Sequence, residues 1–246
     1  MKTNQSVTLV TGGASGLGLC IAHALFNNGA TVVVFDRNPQ TLNELPAEFY
    51  RYCVDVTDVD QVQTAVASVV HQFGKIDVLV NNAGVIFSEP FVNIMNPTQM
   101  MHDYGRFRDH LRINLDSVFI MTAAVVEHMV KSRTKGAIIN ISSISAQGNA
   151  GQTAYSAAKA AVNAMTVTWS KELGRMGIRC NAVAPGFMAT ESTKHALSET
   201  IIAQLKASTP LRRLGNADEV AHTVLFLIEN DYMNGAIIGV NGGLTI

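Results

Sequence analysis

Cysteine and proline are scarce in this chain, and neither sign of charge is in excess. Its 246 residues include three cysteines and six prolines. Cys20, Cys53 and Cys180 are odd in number and far apart, which gives no disulfide framework and fits a reducing compartment. Eighteen Lys and Arg against 19 Asp and Glu leave a net charge of -1, without the basic stripe that holds nucleic acid. With 48% hydrophobic and 15% charged residues, the composition is not that of a disordered chain. No run approaches the ~20 consecutive apolar residues that cross a bilayer. The opening Met1-Lys2-Thr3-Asn4-Gln5 leads straight into a strand-like segment, without the apolar core of a signal peptide. Seven histidines (His23, His71, His102, His110, His128, His195, His222) show neither H-E-x-x-H nor Cys/His spacing, so no metal site is expected. These absences leave one globular domain over 1–246, cytoplasmic, with neither nucleic acid nor membrane as partner.

What is present is an alternation. Short β-branched or apolar runs at 7–10, 31–35, 50–54, 76–80, 137–141, 178–183 and 236–240 read as strands covered on both faces, as in parallel sheets. Helical spacing fills the intervals: Ile21, Ala22, Leu25 and Phe26 share a face before a C-terminal Gly29, and 59–73, 109–131, 154–176 and 217–228 continue the series. The fold class is α/β, a single-domain Rossmann-like doubly wound sheet of about seven parallel strands with helices on both faces. Two stretches, 85–108 and 187–209, break the alternation. Irregular insertions after strand ends tend to build the ligand site, and the second reads as a substrate lid.

The first strand ends in Thr11-Gly12-Gly13-Ala14-Ser15-Gly16-Leu17-Gly18, followed by a helical pattern. Gly12, Gly16 and Gly18 let the backbone turn and approach a pyrophosphate, with Ser15 and Leu17 beside them, while the helix start offers free N–H groups. The G-x-x-x-G-x-G spacing is neither G-x-G-x-x-G nor a Walker loop. Asp36 closes the second strand, 18 residues beyond Gly18, where a carboxylate accepts ribose hydroxyls and repels a 2′-phosphate. Arg37 stands next to it and pulls the other way. NAD is the expected cofactor, ahead of NADP. Asp55 and Val56 after the third strand suit an adenine ring, and Asn82, Ala83 and Gly84 after the fourth line the cofactor channel.

Tyr155 and Lys159 lie four residues apart on an alanine-rich segment, hence on one helical face. A free phenol titrates near 10, too high for a base at neutral pH, and a neighbouring ammonium favours the phenolate. Ser142, at the end of the fifth strand, is placed to hydrogen-bond a carbonyl or alkoxide, with Ser143 as its adjacent competitor. Asn114 is a poor helix former inside a helical stretch.

Together these motifs resemble the short-chain dehydrogenase/reductase family, of the compact single-domain kind, from about Val7 to Gly243. They are the T-G-x-x-x-G-x-G loop, N-N-A-G at Asn81 to Gly84, Y-x-x-x-K at Tyr155 to Lys159, and P-G at Pro185-Gly186. The resemblance implies Tyr155 as general acid/base and Lys159 as holder of the nicotinamide ribose that lowers the Tyr155 pKa. It implies Ser142 on the substrate oxygen, Asn114 anchoring a relay water, and Pro185, Gly186 and Thr190 at the nicotinamide carboxamide. Ile144, Gln152 and Phe187 are candidate substrate contacts, and Phe87, Phe91 and Met188 further walls. It also implies a homotetramer or homodimer packed through the two long helices, where Ala157, Ala158, Ala161 and Ala164 permit close approach.

For the substrate, the long stretch between Gly84 and Asn114, with Met95, Met100 and Met101, resembles the NAD-dependent 3-hydroxyacyl-CoA branch. So do the Arg212-Arg213-Leu214-Gly215 and Ile228-Glu229-Asn230 neighbourhoods. Lys194, Arg212 and Arg213 are candidate cations for an acyl thioester, and His195 lies in the lid. Related 3-oxoacyl-carrier-protein reductases usually prefer NADPH, against which Asp36 counts. Small or cyclic alcohols are a second substrate class. A silent dinucleotide-sensing protein is the reading from a different class, and such proteins commonly lack the tyrosine or lysine that this chain retains.

Overall fold

The computed structural model describes residues 1–190 and 198–246. Seven strands, β1 (Val7–Thr11), β2 (Thr31–Asp36), β3 (Tyr50–Cys53), β4 (Val78–Asn81), β5 (Gly136–Ile141), β6 (Ile178–Pro185) and β7 (Ile237–Val240), form one parallel sheet in the order β3-β2-β1-β4-β5-β6-β7. The order reverses between β1 and β4, which opens a crevice at the carboxyl ends of the strands.

Side chains alternate across the sheet with period two. Leu9, Val33, Leu79 and Ile138 form one row in register. They pack under α3 (Val59–Phe73) and α5 (Ser117–Ser132) with Val66, Val69, Met121 and Val125. Val10, Val34, Val80 and Ile139 form the adjacent row on the opposite face. They pack under α1 (Gly16–Asn27) and α8 (Ala217–Glu229) with Ile21, Leu25, Val220 and Val224. Fully burying each such side chain is worth roughly 1.5–3 kcal/mol, so both faces of the central strands are firmly held. The edge strands are not apolar on both sides: β3 is largely exposed and Ile237 of β7 is 40% exposed.

Several boundaries differ from expectation. The inner face of α1 is Ile21, Ala22 and Leu25, while Phe26 is half out in solvent and packs edge-on against Phe49 at 5.5 Å. The helix expected over 109–131 begins earlier, at α4 (Tyr104–Leu111), where the Asp103 side chain accepts from Arg106 N at 2.8 Å. It continues through a π-helical turn, Arg112–Asp116, into α5. The combined Tyr104–Ser132 helix is long and apolar enough by length and composition to cross a bilayer, and 44% of its most apolar window is buried inside the protein. Part of the expected lid is regular: α7 (Glu199–Ser208) follows an N-cap Ser198. A short α2 (Pro39–Asn43), a 3-10 turn (Ile144–Gln147) and α6 (Thr153–Leu173) complete the elements used below.

Candidate active site

The turn from β1 into α1 is built from glycines for two separate reasons. Gly12 and Gly16 have φ of +61° and +52°, the left-handed region. Gly18 is needed for space: a Cβ there would sit 2.1 Å from the Gly12 carbonyl oxygen and 2.4 Å from Asn82 Nδ2. Asn82 Nδ2 donates to the carbonyls of Thr11 (3.0 Å) and Gly12 (3.1 Å), and the Thr11 hydroxyl accepts from Asn82 N and Ala83 N, both at 3.0 Å. Asn82 thus fixes the shape of the loop. Thr11, which sequence reasoning quoted but did not single out, is the other half of that staple. Ser15 and Gly16 are exposed and Leu17 half-buried. The first turn of α1 holds no acidic side chain and no side-chain cap, so its N–H groups and partial positive charge remain directed at the crevice.

Asp36 lies against this loop, with Oδ2 accepting from Ala14 N (3.2 Å) and Oδ1 from Asn38 N (3.1 Å). Arg37 points into solvent. Asp55 accepts from Thr57 N (2.9 Å) and Thr57 Oγ1 (2.7 Å), and Thr57 in turn accepts from Arg112 at 2.8 Å. Partial burial pushes the Asp55 carboxyl up, but the Thr57 bonds and the Arg112 and Arg37 charges outweigh it, so it ionises below the usual carboxylate value. Val56 beside it is buried. The acidic and basic groups needed to fix this corner were visible singly; Thr57 and Arg112 as its ties were not.

On α6, Tyr155 and Lys159 both face inward, 7% and 4% exposed. Lys159 Nζ donates to the Ile141 carbonyl at 2.8 Å and lies 5.6 Å from the Tyr155 ring centroid. Burial lowers the Lys159 ammonium to about 8. Burial raises the Tyr155 phenol, and the Ser143 hydroxyl pulls it partly back. Among the protein's own groups the Ser143 hydroxyl is the one that favours the phenolate, while the Lys159 ammonium donates to the Ile141 carbonyl. Ser142 N donates to Val183 O (2.7 Å) in the sheet and its Oγ to Lys159 O (3.4 Å), while Ser143 Oγ accepts from Ser145 N at 3.1 Å.

Asn114, fully buried in the π-turn, accepts from Val85 N (3.1 Å) and donates to His110 O (3.1 Å). Such turns inside helices recur at functional sites. A Cβ on Gly84 would fall 2.7 Å from Asn114 Oδ1 and 3.7 Å from Lys159 Nζ, so this glycine lets the end of β4, the π-turn and α6 converge. The side chain of Asn114 fixes the chain leaving Gly84, which matches the expectation that a poor helix former there binds backbone or a water.

The remaining expected residues lie on the rim. Gln152 Nε2 donates to Ser88 Oγ (3.2 Å), Ile144 is buried, and Phe187 is half-buried with its carbonyl accepting from Gly215 N at 3.0 Å. Pro185 ends β6, Gly186 N donates to Val240 O at 2.9 Å, Met188 bridges to Gly215, and Thr190 is half-buried. Phe87 and Phe91 are 45% and 61% exposed. Lys194 and His195 lie outside the described residues. Arg213 forms a bidentate pair with Glu219 at 2.8 and 2.6 Å, whereas Arg212 donates to the Ala207 carbonyl and keeps an exposed charge. A cavity of about 540 Å³ lined by Phe187, Thr209, Arg213, Glu219 and Asn241 adjoins β7, and neither Tyr155 nor Lys159 lines it. Among the described residues no group of three or more His, Cys, Asp or Glu is placed to hold a metal ion.

A family model described as Enoyl-(Acyl carrier protein) reductase matches residues 12–245. The 3-oxoacyl-[acyl-carrier-protein] reductase FabG of Thermotoga maritima is 40% identical, over 100% of both chains. Sorbitol-6-phosphate 2-dehydrogenase of Klebsiella pneumoniae is 35% identical, over 100% of this chain and 98% of its own. The crystal structure of gox2181 superposes with a TM-score of 0.88 at 33% identity, covering 98% of this chain and 95% of that one.

Proposed function

The chain belongs to the short-chain dehydrogenase/reductase family and is an oxidoreductase of CH–OH and ketone groups, and from that premise we propose that it is NAD(H)-linked and interconverts 3-oxoacyl and 3-hydroxyacyl thioesters. The observation that carries the cofactor choice is Asp36, pinned by two backbone N–H groups beside the glycine turn and aimed where a ribose hydroxyl would donate and a 2′-phosphate would be repelled. The cradle around Gly18, too tight for a methyl group, fits a dinucleotide pyrophosphate. Ser15, Gly16 and Leu17 would complete that cradle, Asp55 and Val56 the adenine side, and Ala83, Gly84, Pro185, Gly186 and Thr190 the nicotinamide side.

A nicotinamide bound there would supply the hydride to the substrate carbon in reduction and take it in oxidation. Tyr155 gives the proton to the developing alkoxide in reduction and takes it in oxidation. Its phenol is held high by burial, which suits an acid, and is lowered for base work by the hydroxyl of Ser143 and by cationic charge arriving at the site. Lys159 would hold the nicotinamide ribose, and burial, which lowers its ammonium to about 8, suits it to exchange a proton near neutral pH. Ser142 would polarise the carbonyl, and Asn114 keeps the start of a flap, residues 85–103, near Lys159. Ile144, Gln152 and Phe187 line the substrate.

The acyl reading is supported by the carrier-protein names of the relatives and by the exposed apolar flap, where Ile94 and Met95 are 76% and 86% exposed. A polyol or sugar-phosphate substrate is the second reading, favoured by the Klebsiella relative and by unpartnered polar atoms under the same flap. We also read 1–246 as one cytoplasmic domain that assembles as a homotetramer or homodimer, consistent with the exposed Phe119 and Val130 on α5. Initial rates of acetoacetyl thioester reduction with NADH and NADPH test the proposal. Wild type is expected to favour NADH, and Asp36→Ala to shrink that preference about 10- to 100-fold. An NADPH preference in wild type rejects the cofactor choice.

A further inference from the structure

Buried polar atoms without partners are rare, and a cluster of them needs a reason. Six side-chain atoms of that kind occur among the described residues, and four share one seam: Glu89 Oε2, both ring nitrogens of His102, and His110 Nε2. The seam runs between α4 and the flap 85–103. The flap is tied to the start of α6 by Glu89 N donating to Gly151 O (2.7 Å) and by the Gln152–Ser88 bond, and it folds back on itself through the Val92–Met101 bridge. Glu89 Oε2 stands 3.8 Å from His102 Nδ1 and 3.6 Å from Arg106, close enough to attract and too far to hydrogen-bond.

His110 is the member nearest the chemistry. It is 8% exposed, and its Nδ1 lies 3.3 Å from Arg106 O. A carbonyl oxygen only accepts, so Nδ1 carries the hydrogen, and in that tautomer Nε2 is a bare acceptor. The ring packs 5.8 Å from that of Phe87, over which Arg106 also lies at 5.3 Å. Phe87 is three residues beyond Gly84, which faces Lys159. The His110 carbonyl receives the Asn114 amide one turn further along the helix. An enclosed ring nitrogen without a partner therefore lies one helical turn from Asn114, against Phe87 at the start of the flap.

We propose that His110 is a specificity-determining residue whose Nε2 accepts a hydrogen bond from an O–H or N–H group on the non-reacting arm of the substrate. This rests on the carbonyl-reductase reading above. An amide N–H of a pantetheine thioester and a hydroxyl of a sugar phosphate both supply the donor. A site built around such a bond discriminates against substrates lacking it, because the buried acceptor is then left unpaired.

The test compares wild type, His110→Phe and His110→Gln with NADH on three ketones: acetoacetyl-pantetheine, fructose 6-phosphate and ethyl acetoacetate, the last having no N–H or O–H donor. Phe keeps the packing on Phe87 and removes the acceptor; Gln restores an acceptor. His110→Phe is expected to raise KM about three- to tenfold on a donor-bearing ketone, with kcat within about twofold and KM for ethyl acetoacetate unchanged. Gln is expected to recover most of the loss. The ketone that responds identifies the source of the donor. Equal changes on all three, no change on any, or Gln as poor as Phe overturns the proposal. If wild type reduces none of them, the substrate reading has failed separately. The proposal is then decided by calorimetric titration of pantetheine and of sorbitol 6-phosphate into the enzyme with NAD(H). Wild-type binding lost in His110→Phe upholds it, and equal or absent binding overturns it.

Discussion

The two rims of the crevice are built on opposite terms. On the nucleotide rim the polar groups are matched: Asn82 ties two loop carbonyls, Thr11 takes two N–H groups, Asp36 is held by two more, and Thr57 and Arg112 tie Asp55. On the substrate rim the flap exposes Ile86, Phe91, Ile94 and Met95, and His102, Glu89 and His110 keep unpartnered buried atoms. A ligand that never varies is best met by a preorganised surface, whose ordering is complete before binding. A variable ligand is met by groups left unsatisfied, which discriminate by what fills them.

The reacting centre lies where the rims meet, and breaking it gives the largest expected effect. Tyr155→Phe removes the proposed proton donor and leaves both rims intact. A fall in kcat of about 10²- to 10⁴-fold is expected in steady-state assays, with NADH affinity by fluorescence titration within about twofold of wild type. Turnover within about tenfold of wild type would take the phenol out of the chemistry.

The nucleotide rim is expected to fail abruptly, and two glycines separate space from backbone strain. Gly18→Ala puts a methyl 2.1 Å from a backbone oxygen that Asn82 and the β1 strand hold in place, so dinucleotide affinity is expected to drop more than about 100-fold. Gly16→Ala meets nothing within 4 Å and bears only its left-handed φ, a cost of about 1–2 kcal/mol. NADH titration and thermal melts of the two variants check the order; equal losses would mean the loop gives way and is not preorganised.

Lys159 belongs to both rims and makes the protein's stability depend on pH. Its ammonium titrates near 8 folded and near 10.5 free, so below pH 8 both states carry the proton and the folded state bears the full cost of burying it. Between pH 8 and 10.5 the unfolded chain binds more protons, and stability rises with pH by about 3 kcal/mol from this group. Above about pH 10 the raised Tyr155 phenol opposes this, since the unfolded chain then loses a proton that the folded one keeps. Urea unfolding at several pH values, in wild type and Lys159→Met, should show the rise only in wild type.

The same division explains what could be read from the chain. The nucleotide rim and the Tyr155–Lys159 pair depend on spacing within one turn or one helix, so the motif carries the geometry. The short apolar runs likewise mark the central parallel strands, because a strand covered by helices on both faces is apolar throughout, while exposed β3 and β7 carry that mark weakly. What escaped is decided by distant neighbours. The tie of the Ser142 hydroxyl to the Lys159 carbonyl, 17 residues along the chain, has no local signal. Phe26 shares the helical spacing of Leu25 and yet packs on Phe49 at the surface. Arg213 looked available in sequence until Glu219, on the next helix, took it. His110 drew no attention because its partners, Phe87 and Arg106, matter only once the flap folds over α4.

The smallest expected effect sharpens the comparison from the substrate side. Met95 is 86% exposed at the flap tip, so Met95→Ser removes little packing and is expected to change stability by less than about 0.5 kcal/mol. If the apolar tip meets the distal part of an acyl chain, each methylene it covers contributes up to about 0.8 kcal/mol. KM for a C8 3-oxoacyl thioester should then rise about two- to fourfold, that for acetoacetyl thioester should stay put, and NADH affinity should not move. A rise that is the same for both chain lengths would show that the tip acts through flap position and not through contact. No rise for the C8 thioester would leave the flap's apolar tip to a different surface and favour the polar substrate reading, in which the seam beneath the flap does the selecting.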